Sequence, residues 1–258
     1  LAKGRITAQQ LKRDPLMEQY LATSEWVKQR LRPITTGLIV VVVVVAAIII
    51  FQLISSSRKR AAQEALAVAF RHEQAVVANP LPPTSQGLAF TTEEEKHKRT
   101  YEAFDKVARE YPSFYGELAR YYAATHQLYF DPTKAEATLQ ELAQKESSVG
   151  AQARLALAQR YETTGRFEQA LAEYQKLKAK PLDIPLLQID FNMARTYEAM
   201  GKTREASDLY FSVAQQAIGQ SLGTSAATRL TLLDPVRAEQ LPEPPKSGMP
   251  SFGGLSLR

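Results

Sequence analysis

Cysteine is absent from the 258 residues, histidine occurs three times and tryptophan once. Without cysteine there is no disulfide framework, no thiolate metal site and no thiol nucleophile. A lipidated cysteine is excluded as well, so any membrane attachment must come from the chain itself. Histidine is too sparse for a zinc helix: His72-Glu73 has no second histidine one turn further on. His72, His97 and His126 stand far apart in sequence and read as solvated helix residues. Phosphate-cradling glycine loops and nucleophile elbows are missing too, and Gly253-Gly254 has no lysine after it. Glu93-Glu94-Glu95 reads as the solvated first turn of a helix. These absences predict a protein that is not an enzyme, with no metal, no cofactor and no small-molecule substrate.

Basic charge is scarce where nucleic acid would need it. The formal net charge is +5, but of 32 Lys and Arg, seven lie in residues 1–32 and three at 58–60. That leaves 22 basic against 24 acidic residues after position 60. The large C-terminal part is slightly acidic, so a nucleic-acid partner is not expected. The basic excess flanks an uncharged stretch, where each Lys or Arg near anionic headgroups contributes about 1 kcal/mol.

That stretch is Gly37 to Ile54, which includes six consecutive valines from Val40 to Val45. At about 1.5 Å per residue, roughly 20 apolar residues span a hydrocarbon core about 30 Å thick. Residues 33–57 are therefore expected to form one transmembrane helix in contact with the lipid bilayer. A signal peptide would be shorter and followed by a small-x-small cleavage site, whereas Ser55-Ser56-Ser57 leads into Arg58-Lys59-Arg60. Positive charge counted close to the span is balanced on its two sides. The short segment 1–32 is the richer over its full length, which predicts a cytoplasmic N-terminus and the bulk of the chain outside. Trp26, just ahead of Lys28, Arg30 and Arg32, suits a membrane boundary.

After the span, Ala62, Leu66, Ala69, Phe70 and Val76 keep helical spacing, until three prolines and a glycine between Pro80 and Gly87 impose a loop. Thr91 and Thr92 ahead of three glutamates form an N-cap, and the helix they open should end at Tyr111-Pro112. Further on the chain repeats itself. Ala158, Tyr161, Gly165, Ala170 and Tyr174 recur 36 residues later as Ala194, Tyr197, Gly201, Ala206 and Tyr210, with Ser207 in place of Leu171. Small residues at fixed contacts and a glycine between two helices are the tetratricopeptide pattern. Gly165 and Gly201 are expected where a Cβ would be crowded. A less regular copy precedes, with Leu118, Ala119 and Tyr122, a lengthened loop from His126 to Pro132, then Ala135, Leu139 and Leu142. Gly219 and Gly223 break the pattern, and Ser225 to Leu233 could cap it. From Asp234 onward five prolines and three glycines leave little to form a core.

The expected class is all-α, a single N-terminal transmembrane helix followed by a tetratricopeptide-like helical-repeat (α-solenoid) domain. Its parts are a basic cytoplasmic segment (1–32), the span (33–57), a juxtamembrane helix and Pro-rich loop (58–92), the repeat domain with its cap (93–235) and a Pro/Gly-rich tail (236–258). Glu25-Trp26-Val27-Lys28, the Gln- and Ala-rich helix after the span and the repeats through Tyr210 resemble the bacterial single-span tetratricopeptide proteins of the translocon-ancillary type. The resemblance covers about residues 20–235 and implies an inner-membrane protein with a periplasmic repeat domain. It also implies a concave protein-binding face carrying Arg120, Gln152, Leu155, Gln159, Glu162, Gln188, Phe191, Arg195 and Glu198. The Lys and Asn set that grips a C-terminal carboxylate in chaperone-binding relatives is missing, apart from Asn192. The functional expectation is a membrane-tethered adaptor binding other membrane or secreted proteins, ancillary to translocation or periplasmic chaperoning. The alternatives are a structural accessory subunit of a large, energy-converting membrane complex and an organelle import receptor.

Overall fold

The computed structural model describes residues 31–79 and 88–243, so the N-terminal basic segment with Trp26, the prolines from Pro80 to Pro83 and the tail after Glu243 lie outside the described residues. The fold is all-helical. Its elements are α1 (Leu31–Glu73), β1 (Val76–Val77), β2 (Ala89–Phe90), α2 (Glu93–Glu110), α3 (Gly116–Gln127), α4 (Pro132–Ala143), α5 (Ser148–Thr163), α6 (Phe167–Ala179), α7 (Leu186–Ala199), α8 (Thr203–Gln216), α9 (Ser221–Leu233) and α10 (Pro235–Ala238). The chain divides into two compact units, one ending at Ala61 and one beginning at Ala62.

In the first unit α1 presents apolar side chains on every side. From Leu38 to Ile54 each large apolar residue is between 48% and 72% exposed. The most apolar part of the helix has a mean hydropathy of 3.2 and none of it is buried. By length and composition this helix can cross a membrane, a test that a signal sequence also meets. The hydroxyls of Ser56 and Ser57 donate to the carbonyls of Leu53 and Ile54, each at 2.9 Å. Both side chains thereby satisfy their donors within the helix and need no water for it.

The second unit begins with the last turns of α1. Ala69 is fully buried together with Phe104 and Val107 of α2, and the Phe70 ring meets Phe104 at 5.2 Å and Tyr122 at 4.9 Å, both edge-on. The α2 cap is the expected one: Thr92 Oγ1 accepts from the Glu95 amide at 3.1 Å, and Thr91 returns two bonds to the Glu95 carboxylate. Satisfying the first-turn amides in this way fixes where the helix starts. A pairing that the sequence did not announce closes the Pro-rich loop, because Val76–Val77 and Ala89–Phe90 form a short parallel ladder.

From α3 onward each helix packs on the next, and α3 also touches α5 as α7 touches α9. Ala158, Ala170, Ala194 and Ala206 are fully buried, as the spacing of small residues requires for close helix approach. Gly165 and Gly201 end α5 and α7 with φ of 73° and 71°. In both turns the residue after the glycine bonds back to a tyrosine carbonyl, Arg166 to Tyr161 at 2.8 Å and Lys202 to Tyr197 at 2.9 Å. This is the left-handed helix stop that glycine favours. Crowding, the expected reason for these glycines, is not the cause, since a Cβ at either position would meet nothing within 4 Å.

Two other expectations change. His126 lies inside α3 and is buried, so the connection to α4 is only residues 128–131. Gly223 breaks nothing: it sits in the first turn of α9, where a Cβ would stand 2.1 Å from the Ala217 carbonyl oxygen. The absent side chain is what lets α9 start so close behind α8. Past Asp234 the fold continues through α10, with Ala238 and Leu241 packed against the cluster around Tyr210 and Leu230.

Candidate functional site

Most of the polar residues expected on a binding face are engaged by partners within the fold. Glu162 on α5 accepts from the Tyr174 hydroxyl of α6 at 3.1 Å and from Arg195 of α7 at 2.7 Å. The set repeats: Glu198 on α7 accepts from Tyr210 of α8 at 2.7 Å and from Arg229 of α9 at 3.2 Å. Each carboxylate therefore bonds the next helix and pairs with the helix after that. Tyr174 and Tyr210 are fully buried. Burial, then the neighbouring carboxylate, raises both phenols far above their ordinary range, so they act purely as donors.

The remaining candidates divide between the fold and its surface. Arg120 forms a two-pronged pair with Glu141 of α4, at 3.0 and 2.7 Å. Gln188 donates to Asn192 at 3.2 Å, and Asn192 itself is buried. Phe191 packs edge-on to Tyr210 at 5.6 Å and, with Arg195 and Arg229, borders a cleft of about 580 Å³. Leu155 leans on the main core and Gln152 is half-buried. Gln159 alone of the set is exposed, and it faces a second cleft.

That second cleft, of about 640 Å³, is where the structure gathers residues that the sequence kept apart. Its walls come from the end of α1 (Glu73), the start of α2 (Lys96, His97), α3 and the residue pair after it (Tyr121, Leu128, Tyr129), and α5 (Ala156, Gln159, Arg160). On its floor the Nδ1 atoms of His97 and His126 are 2.9 Å apart, a hydrogen bond in which one imidazole donates and the other accepts. His97 is covered by the Tyr129 ring at 3.4 Å between centroids, nearly parallel, while Tyr129 itself stays 68% exposed. His126 lies parallel to Phe104 at 6.0 Å.

The two histidines are not solvated helix residues, contrary to expectation. Burial, with the nearby charges of His97 and Lys96 acting in the same direction, lowers His126 to about 4. His97 is lowered chiefly by burial, and burial raises Glu73 and Tyr121. Every shift favours the uncharged form, the signature of a partly dry floor. Among the described residues, no group of three or more His, Asp or Glu side chains converges as metal ligands would.

No protein-family model, curated protein or solved structure matches this chain.

Proposed function

We propose that the protein is a membrane-tethered adaptor of the tetratricopeptide type, anchored by residues 33–57 and binding another protein through the first helices of its successive pairs. The observation that carries this reading is the recurrence, 36 residues apart, of a whole hydrogen-bonded set. Glu162–Tyr174–Arg195 returns as Glu198–Tyr210–Arg229, alongside the matching glycine stops and buried alanines. A helix pair that cannot bury its apolar face alone gains stability by stacking on a copy of itself, and such stacks serve mainly as protein-binding surfaces. The apolar side chains exposed on every side of α1 call for an apolar solvent, which supports the bilayer as its surroundings. Tethering raises the effective concentration of the repeats near membrane partners, so modest affinity suffices. We place the N-terminus in the cytoplasm and the repeats outside, as in the translocon-ancillary proteins the sequence resembles.

Purification of the full chain in mild detergent tests the reading. Substoichiometric membrane or secreted clients are the expected companions, and a fixed ratio to several membrane chains would point to a permanent subunit instead. Purification of the chain alone at every salt and detergent condition would count against both. Protease added to intact spheroplasts should cut after residue 60, and full protection would reverse the orientation.

A further inference from the structure

Basic side chains in the second unit are matched almost everywhere. Every described Lys and Arg after residue 60 takes part in an ion pair except Arg71, Lys96, Lys202 and Arg204, no two of which are adjacent in sequence. Of these, Lys96 acts on Glu73 and Lys202 lies over the Tyr197 ring. Arg58-Lys59-Arg60 on α1 is different: three consecutive cations, all exposed, without an ion pair among the described residues. The nearest acid on α1, Glu64, lies one turn beyond Arg60 and forms no ion pair with it.

Helix geometry decides what these cations can meet. Because α1 runs unbroken from Leu31 to Glu73, successive side chains point about 100° apart around its axis, so the three fan out over roughly 200° instead of lining one groove. They also stand about 6–9 Å beyond Ile54, the last residue of the apolar stretch. The headgroup layer is roughly 5–8 Å deep on each side of the hydrocarbon core. Long flexible stems bring the charges within it.

Resting on the membrane-anchor part of the reading above, we propose that Arg58, Lys59 and Arg60 gather phosphate-bearing anionic lipids around α1, so that the helix leaves the bilayer through a shell of anionic headgroups. Charge, depth and angular spread together select this occupant. A peptide or a second transmembrane helix would approach from one side and leave cations on the other sides unmatched, whereas headgroups approach from all of them. The span beneath suits the same surroundings. Between Leu38 and Ile54 its small or polar residues are Ala46, Ala47 and Gln52 alone, too few for the small-residue seam by which helices pack in lipid. Each Lys or Arg at headgroup depth favours an anionic surface by about fivefold, an effect that salt weakens.

The test uses the absence of cysteine, which lets Ser57→Cys carry a single fluorescent donor beside the cations in the full chain. In vesicles of phosphatidylcholine with a minor share of phosphatidylglycerol, energy transfer to acyl-labelled phosphatidylglycerol should exceed transfer to equally abundant acyl-labelled phosphatidylcholine by about twofold or more. Arg58→Gln/Lys59→Gln/Arg60→Gln should remove most of that excess, and the charge-conserving Arg58→Lys/Arg60→Lys should keep it. Equal transfer to the two lipids, or an undiminished excess in the glutamine variant, would overturn the proposal. So would an excess abolished by inorganic phosphate at fixed ionic strength, which would make the ligand a soluble anion. Alkaline extraction from pure phosphatidylcholine vesicles separates this from the anchor itself. Both the parent chain and the glutamine variant should stay in the membrane. Loss of both would remove the anchor reading and this one with it, while retention without lipid preference would overturn this one alone.

Discussion

The helix pairs α5–α6 and α7–α8 share one frame and are braced differently. Both end their first helix on a left-handed glycine, bury an alanine from each helix and hang a buried tyrosine on a glutamate. After Gly165, however, comes Arg166, whose guanidinium grips Glu136 of α4 with bonds of 2.9 and 2.6 Å and lies 4.5 Å over the Tyr161 ring. After Gly201 comes Lys202, with no ion pair among the described residues and only a distant contact to Tyr197 at 5.9 Å. The partner position has changed in step: 36 residues after Glu136 stands Ala172. Leu171 fills the core of the first pair, while its counterpart Ser207 is buried with an unpartnered hydroxyl. The two pairs thus share their backbone stop and helix spacing and differ in how side chains brace them.

The sharpest way to break this comparison is to attack what the two pairs share. Ala170→Trp and Ala206→Trp, at fully buried helix contacts, should each cost upwards of about 3 kcal/mol in urea unfolding, with Gln159→Ala as the neutral control. Tolerance of either tryptophan would mean that the two contacts are not equivalent.

A second test uses a region outside both pairs. His126 stands 35 residues ahead of Tyr161 and is buried like it, but it can titrate. The unfolded chain takes up a proton as pH falls below about 6.5, whereas folded His126 resists until about 4. Its contribution is therefore complete above pH 6.5 and lost as pH falls toward 4, on the order of 2 kcal/mol. Carboxylates held low by their partners, such as Glu136 beside Arg166, lose their contribution only below the ordinary value of 4.5. A melting temperature that falls between pH 6.5 and 5 in the wild type and stays level in His97→Ala/His126→Phe is the expected result. Equal profiles would remove the imidazole pair as the cause.

The difference in bracing predicts a smaller, asymmetric effect. Glu136→Ala strands both Arg160 and Arg166 and should cost about 1–2 kcal/mol, against less than about 0.5 kcal/mol for Lys202→Ala. Equal losses would show that the clamp adds nothing. The smallest effect should also be the most symmetric: Gly165→Ala and Gly201→Ala each cost about 1 kcal/mol from backbone strain alone, because neither Cβ would touch anything. Unequal losses would mean that one turn is held by its surroundings as well.

What the sequence made legible was what repeats along it. Ala158, Gly165, Ala170 and Tyr174 could be matched to their copies because a helix contact or a turn depends on residues close in the chain. The His97–His126 bond could not be anticipated. It joins residues 29 apart on helices whose packing is set by Phe70, Phe104 and Tyr122, in the stretch where the recurring pattern is least regular and neither histidine has a counterpart. The β1–β2 ladder escaped for a similar reason, since two residues per strand leave no alternation to detect. Of the expected binding residues, availability was not readable from the sequence. Glu162 and Arg195 pair with each other across two helix pairs, and Glu198 is matched by Arg229 of α9, so their charges are taken up inside the fold.

The Glu–Tyr–Arg set also bears on how such a chain can change length. Each carboxylate reads only that a tyrosine follows twelve residues on and that an arginine arrives from the helix beyond. Excising 167–202 would join Arg166 to Thr203 and set Tyr210 at that same distance from Glu162, with Arg229 to complete the group. Duplicating the same segment would add another self-matching rung. Loss of one unit therefore keeps this Glu–Tyr–Arg group whole at the seam, while the bracing around it does not carry over: Arg154 would lose Glu173 and Glu146 would lose Lys180, so a shortened chain would need compensating changes at those two positions.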